Sequence, residues 1–323
     1  MCEVRWSILV LAALASSSCQ GADDRVLTGS DAATDDAAVG SRVLEPAAAG
    51  SESAANSEGD ADPDCDLTGI WMANQITVSQ ALGRAQSSNQ WMYLEFKQSG
   101  TAAEVTKHFD CGIEVHGSAI VTMSRATTQA LIGHNVQNGR KATLVRDGEH
   151  CKLNVERFWS VRGADESRFL PNARRNSSDS IGAVDKLNPL PTRRNTDGAV
   201  DTENDGQLGV AYQVAGNLWG TRNAVQRYWT RWHTDADHQI PASDDWQDEL
   251  VVRTEFDYEE SVLSPKSGLL ISDSSPKSDA KHVVKLRFLG RDRSDPRAAA
   301  ILKDTDIETC YAIQDSMPAV ELD

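Results

Sequence analysis

The sequence predicts an exported all-β protein, an antiparallel barrel or sandwich of about ten strands with two short helices, behind a disordered N-terminal tether. Three observations carry this. Apolar and polar residues alternate with a period of two in many segments between Ile70 and Leu289. Four cysteines, Cys65, Cys111, Cys151 and Cys310, lie within that region and just beyond its two ends, with no Cys-x-x-Cys spacing, which points to disulfides and not to zinc. Residues 20–64 contain no aromatic residue and carry 11 Asp+Glu against 2 Lys+Arg, so they have little to bury.

The strands follow in order. In Trp91–Gln98, Met92, Leu94 and Phe96 point one way, while Tyr93, Glu95 and Lys97 point the other. Leu153, Val155, Trp159 and Val161 are read as one face interrupted by Arg157. Leu250, Val252, Thr254, Phe256 and Tyr258 form another, and Val284, Leu286 and Phe288 another. Further strands are expected at 70–78, 103–109, 112–115, 141–146, 209–215 and 223–232. Gln98-Ser99-Gly100 and Arg146-Asp147-Gly148 supply turns. Helices are expected at 127–136 and from Asp295 to about Lys303, with Pro296 in a first turn. Residues 162–207 and 233–248 are long connecting segments, of a kind that is functional or disordered.

The N-terminus begins with Arg5, then an apolar run from Trp6 to Ala15 that is too short to span a bilayer. Ser16-Ser17-Ser18-Cys19 follows and resembles the lipobox of bacterial lipoproteins, although Ser16 stands where Leu is usual. The resemblance implies cleavage of a signal peptide 1–18 and a lipid on Cys19. Gln20, not Asp, after the Cys implies the outer membrane by the family's sorting rule. An ordinary secretory signal, giving a periplasmic or secreted protein, is the alternative. Residues 19–64 are then anchor and tether, and 65–323 a disulfide-linked β domain. The favoured pairing is Cys65–Cys310, joining the ends of the domain, with Cys111–Cys151 tying neighbouring strands.

Gly69-Ile70-Trp71 at the start of a strand resembles the opening motif of lipocalins. That resemblance implies an eight-stranded barrel in which Trp71 plugs the closed end and the open end takes an apolar ligand, with Arg287 as the counterpart of the family's C-terminal Arg.

Several constellations are candidates for chemistry. Asp201, Glu203 and Asp205, followed by Gly206, place oxygen ligands at alternate positions before a sharp turn, which suits calcium. Tyr212 occupies the position of an EF-hand's bidentate Glu, so any such loop is of a shorter kind. His233, Asp235, Asp237 and His238 contain the atoms of a zinc site, but at no recurrent spacing. Trp229, Arg227 and Arg231 share one face of a strand whose other face carries Tyr228 and Trp232; flat rings and guanidinium groups there would suit a glycan or a peptide. His108, His116, His134 and His150 read as surface or strand residues.

The net charge of −16 argues against nucleic acid as a partner and against charge-driven adhesion to anionic lipid. The expected contact with a bilayer is through the anchor alone. No Gly-x-Ser-x-Gly, Ser-x-x-Lys or His-Glu-x-x-His stands in a convincing setting. The reading is an envelope lipoprotein whose β domain binds a small ligand, a glycan or an envelope protein without catalysis. The alternative is an exported hydrolase whose active site is built from the long loops.

Overall fold

The computed structural model describes residues 62–81, 84–133, 138–170, 188–216, 219–264, 274–276 and 281–320. The signal segment, Cys19, most of the tether and His134 lie outside them. Twelve strands share one sheet. They are β1 (Gly69–Ala81), β2 (Arg84–Ser99), β3 (Ala102–His116), β4 (Ala119–Met123), β5 (Lys141–Asp147), β6 (His150–Arg162), β7 (Val210–Gly216), β8 (Gly220–His233), β9 (Ile240–Pro241), β10 (Leu250–Ser264), β11 (Ser274–Pro276) and β12 (Val283–Gly290). Helices α1 (Arg125–Ile132), α2 (Glu166–Phe169), α3 (Pro296–Ile301) and α4 (Asp306–Ser316) complete the described elements. None is long and apolar enough to cross a membrane.

The pairings close on themselves. Taken in ring order, β1, β2, β3, β5, β6, β8, β10 and β12 each pair antiparallel with the next, and β12 pairs back with β1. The result is an up-and-down barrel of eight strands, which removes the exposed edges that a sandwich would have to protect. β4 and β7 pair with each other and bridge β3 to β8 at one end. Beyond Ile76, β1 pairs with β11 instead of β12.

Closure fixes what each strand face meets. Trp71, Ala73, Met92, Leu94, Phe96, Val105, Leu144, Leu153, Val155, Trp232, Val252, Leu286 and Phe288 form one buried cluster contributed by all eight strands. The outward residues Ile70, Met72, Trp91, Tyr93 and Phe109 meet α4 and α3 in a second cluster. α4 was not expected from alternation, but its N-terminus is well signalled. The Thr305 hydroxyl accepts from the Glu308 N–H and donates to the Glu308 carboxylate, a capping arrangement that starts a helix in which Ile307, Cys310 and Ile313 are buried. α4 is held down at its far end as well, where the Trp91 indole N–H donates to the Met317 carbonyl at 2.6 Å.

Two glycines permit close approaches. A Cβ on Gly69 (φ +136°) would lie 2.5 Å from the Gly290 carbonyl oxygen, so the glycine lets β12 close against β1. A Cβ on Gly112 (φ +137°) would lie 2.6 Å from the Gln314 side-chain nitrogen, so that glycine lets α4 lie against β3.

The expected disulfide pairing is corrected by this topology. The bonds are Cys65–Cys151 and Cys111–Cys310. Cys111 faces outward from β3, where α4 brings Cys310. Cys65 lies in the inner cluster beside Cys151, at the end of the barrel where the described chain begins. Pairing the domain's two ends overlooked that the C-terminal helix returns to the barrel's flank and not to residue 65.

A second correction concerns β6. The register shifts between Val155 and Phe158, where β6 carries one more residue than β8. That bulge turns the face over: Leu153 and Val155 are in the inner cluster, whereas Trp159 and Val161 pack outside.

Candidate ligand site in the barrel interior

Three adjacent strands display the interior as a lattice. Reading across β10, β8 and β6, the first inward row is Thr254, Trp232 and Val155. The second is Phe256, Thr230 and Phe158; the third is Tyr258, Tyr228 and Ser160; the fourth is Glu260, Gln226 and Arg162. The facing wall changes in the same direction. Across β1 and β2 the inward pairs run Trp71–Leu94, Ala73–Met92, Gln75–Gln90 and Thr77–Ser88. One half of the barrel is therefore packed with aromatic and aliphatic side chains, and the other with amides, hydroxyls and ions.

The ionic groups are buried and paired. Arg162 donates to Asp110 at 2.6 Å, with 4% and 5% of the two side chains exposed. Gln90 donates to the other Asp110 oxygen at 2.8 Å. Arg222 donates to both Glu260 oxygens at 2.8 and 3.0 Å, and the Gln226 amide donates to Glu260 at 2.7 Å. The Tyr212 hydroxyl, reaching in from β7, is 2.6 Å from the Gln226 oxygen. Trp232 closes the apolar half by donating its indole N–H to Gln75 across the interior at 2.9 Å.

Other polar groups are left without well-formed hydrogen bonds. The Thr254 hydroxyl and the Arg162 Nε fall in this class, while the Tyr228 hydroxyl lies beside Ser160 and Gln90, and the His108 ring beside Asp110. His108 is fully buried, and its Nε2 lies 3.4 Å from Asp110, beside the Arg162 and Gln90 contacts of the same carboxylate. Burial raises the Tyr228 hydroxyl's pKa, which keeps it neutral and able to donate. An unsatisfied buried polar group costs about 1–3 kcal/mol, and apolar residues in place of a buried ion pair are often neutral or stabilising by about 1–4 kcal/mol. A barrel selected only as a scaffold would fill this half as it fills the other.

The site also has a seam. Pairing of β10 with β12 ends at Arg253 and Val283, followed by one hydrogen bond from the Thr254 N–H to the His282 carbonyl. Beyond it, that edge of β10 pairs with no described strand. There the inward Phe256 and Tyr258 are half-buried, although Thr254 and Glu260 on the same face are buried. The two rings stack with centroids 5.2 Å apart.

Asp110 makes the ion pair testable by pH. Burial opposes its ionisation, yet the Arg162 guanidinium, the His108 ring and the Gln90 amide together hold its carboxyl well below the usual carboxylate range. A carboxyl depressed in the folded state stabilises fully above its unfolded pKa of about 3.9, and the contribution is lost as pH falls toward the folded value. Asp110→Asn should therefore flatten the loss of stability below about pH 4, measured by urea midpoints over an acid series. An unchanged acid slope would contradict the pairing.

The residues expected from sequence fall elsewhere. Trp71 is fully buried, packed on Phe288 at 4.9 Å and Trp246 at 5.3 Å between ring centroids. Trp229 and Arg227 do face away from Tyr228 and Trp232, but their face is covered, not exposed. Trp229 packs with Trp159, Phe169, Leu170 and Leu190, and Arg157 stacks 3.8 Å from its ring centroid. Arg227 donates to the Asn188 and Phe169 carbonyls and pairs with Glu259. Arg231 is half-buried, held by Asn154 at 2.9 Å. The described residues that cover it, Phe169, Leu170, Asn188 and Leu190, belong to the long segment after β6. Asp201, Glu203 and Asp205 do come together, with one ligand atom of each within 4.8 Å of the others. His233, Asp235, Asp237 and His238 do not converge in this way; His238 instead bonds Asp235 at 2.8 Å. Arg287, on the outward parity of β12, faces Glu249 and the Ser316 carbonyl.

The groups that sequence reasoning missed are His108, Asp110 and Arg162. All lie on bulged strands: β3 shifts register twice against β2, between Glu95/Phe96 and between Trp91/Met92, and β6 once. Each bulge changes which parity faces inward. The one legible signal was a charged residue, Asp110, set between Phe109 and Cys111.

No protein family, no curated protein and no solved structure matches the chain.

Proposed function

We propose that the protein is an exported, envelope-anchored lipoprotein whose barrel binds a small ligand in its interior without catalysis. The observation that carries this is the change from an apolar to a polar, ion-paired interior, ending at a seam lined by Phe256 and Tyr258. A small ligand is preferred to a glycan or protein on the outer face of β8, because Trp229 and Arg227 are covered. The lipocalin-like element of the reading is supported by the up-and-down ring and by Gly69-Ile70-Trp71 opening β1. Arg287, expected as the counterpart of the family's C-terminal Arg, instead faces Glu249 and the Ser316 carbonyl, and does not strengthen the lipocalin-like element. Two disulfides and the serines before Cys19 support export and anchoring. The experiment is native mass spectrometry of protein purified from its own envelope without denaturation. A retained small molecule is the expected result; a mass equal to the processed polypeptide plus lipid alone would count against the reading.

Anchoring has its own test. Cys19→Ser should move the protein from the detergent phase to the soluble fraction, and full retention in detergent would contradict lipidation at this residue.

Calcium is a second reading, favoured by the convergence of Asp201, Glu203 and Asp205. Glu203 Oε1 accepts from Thr127 at 2.7 Å and from the Ala211 N–H at 3.0 Å, which ties the turn to α1. A surface site with three carboxylates, Asp201 and Glu203 half-buried and Asp205 exposed, belongs to the weak extracellular class, with Kd about 10⁻⁴–10⁻³ M. About 5 mM Ca²⁺ should then add about 1–2 kcal/mol of stability, and Asp201→Ala with Asp205→Ala should abolish the gain. An equal gain from Mg²⁺, or one surviving the double variant, would reduce the turn to screened charge.

A further inference from the structure

We infer that the β7–β8 turn, through Trp219, seats in the interfacial layer of a lipid bilayer and gives the protein a second membrane contact besides its anchor. This is independent of the interior site and rests on the anchored reading only for proximity to the bilayer. Trp71, Trp91, Trp159, Trp229, Trp232 and Trp246 are all buried, whereas Trp219 is 84% exposed. It directly precedes Gly220, which pairs with Val214, so it stands level with Ala215 at the tip of the hairpin. Ala215 is exposed and pairs with Ile120 of β4, which is exposed as well. Their neighbours turn the other way: Val214 is buried, and Val121 packs on the cluster of Val210 and Tyr212. Trp219, Ala215 and Ile120 therefore form one exposed apolar row across the ends of β4, β7 and β8.

Charge along β8 is one-sided. Residues 114–121 and 213–222, around the row, carry only Glu114, His116 and Arg222 as ionisable side chains. Glu114 pairs with His116, and Arg222 with Glu260. At the far end of β8, residues 233–250 carry six Asp+Glu and no Lys or Arg. Asp62, Asp64 and Asp66 join that end, where the Ser243 N–H donates to the Asp64 carbonyl at 2.7 Å. An anionic surface repels the acidic end, whereas the Trp219 end enters the headgroup layer without stripping water from an unpaired charge. The size of the row selects a bilayer over a protein. A tryptophan buries about 150–250 Å², and a stable protein interface needs about 800 Å² from each partner. A bilayer makes no such demand, and tryptophan suits its interface because the ring is apolar and its N–H polar. Tethering raises the local concentration of lipid, so a weak contact suffices. Residues 20–61 span at most about 150 Å, and the 14 residues of β8 about 45 Å, so an anchor at Cys19 lets the Trp219 end reach the surface.

The test is tryptophan fluorescence of the full chain, purified from its own envelope and reconstituted into phosphatidylcholine vesicles with and without acyl-brominated lipid. Brominated lipid should quench part of the emission, and Trp219→Ala should abolish that quenching while leaving the thermal midpoint within a few degrees, because the side chain is exposed. Should this variant fail to fold, Trp219→Phe assigns the quenching in the same way. In the unanchored Cys19→Ser chain, Trp219→Ala should weaken partition into the same vesicles roughly tenfold, the effect of one large apolar side chain. Vesicle-bound, lipidated protein that brominated lipid does not quench would overturn the inference and leave the anchor standing. A mature chain without lipid would remove the anchored reading, and the partition measurement then decides the inference alone. No partition into vesicles, or partition unchanged by Trp219→Ala, overturns it. Self-association in the absence of vesicles that is lost in Trp219→Ala would place a second copy on the row and overturn it as well.

Discussion

Arg162→Met should cost about 3–5 kcal/mol of stability, because it leaves the Asp110 carboxylate buried without its cation. Asp110 keeps only the Gln90 amide at 2.8 Å and the His108 contact at 3.4 Å, and neither supplies a fixed positive charge. Urea unfolding measures the loss. The double variant Asp110→Leu/Arg162→Met should recover most of it, since no buried charge remains and both side chains are replaced by apolar volume. A single variant that loses less than about 1 kcal/mol would mean that water reaches the pair, contrary to its burial.

Removing the Cys111–Cys310 bond should have an effect of similar size. The bond closes a loop with a sequence separation of 199, for which the chain-entropy treatment gives about 5 kcal/mol. Cys111→Ala with Cys310→Ala leaves α4 held by Ile307, Ile313 and Met317 and by the Trp91 bond to the Met317 carbonyl. Thermal unfolding should show the loss, and the segment after Thr305 should become the first site of limited proteolysis. Peptide mapping without reductant checks the premise by recovering Cys65 with Cys151 and Cys111 with Cys310. Recovery of Cys65 joined to Cys310 would contradict the position of α4 on the flank of β3.

The reading of fold from sequence succeeded where alternation ran without interruption. The inward faces of β2 at Met92, Leu94 and Phe96, of β10 from Leu250 to Tyr258 and of β12 at Val284, Leu286 and Phe288 were all legible, because a half-buried strand imposes a period of two. Alternation does not record register or closure, so it does not separate a barrel from a sandwich, whereas the pairing of β12 with β1 does. It also fails at bulges, which is why His108, Asp110 and Arg162 were not recognised as interior. A charged residue at an apparently outward position looks solvated until an inserted residue moves it inside. The Trp and Arg face of β8 was oriented correctly by parity, but parity cannot say that Phe169, Leu170 and Leu190 fold back over it. α4 was missed for a different reason: its buried residues are few, and its capping signal at Thr305 and Glu308 was the stronger evidence.

The most direct test of an interior ligand site is a crystal structure of the protein purified natively from its own envelope. Density for an organic molecule bounded by Phe256, Tyr258, Tyr228 and Glu260 is the predicted result. An interior occupied by protein side chains and water alone would contradict it and leave the polar half as a structural core.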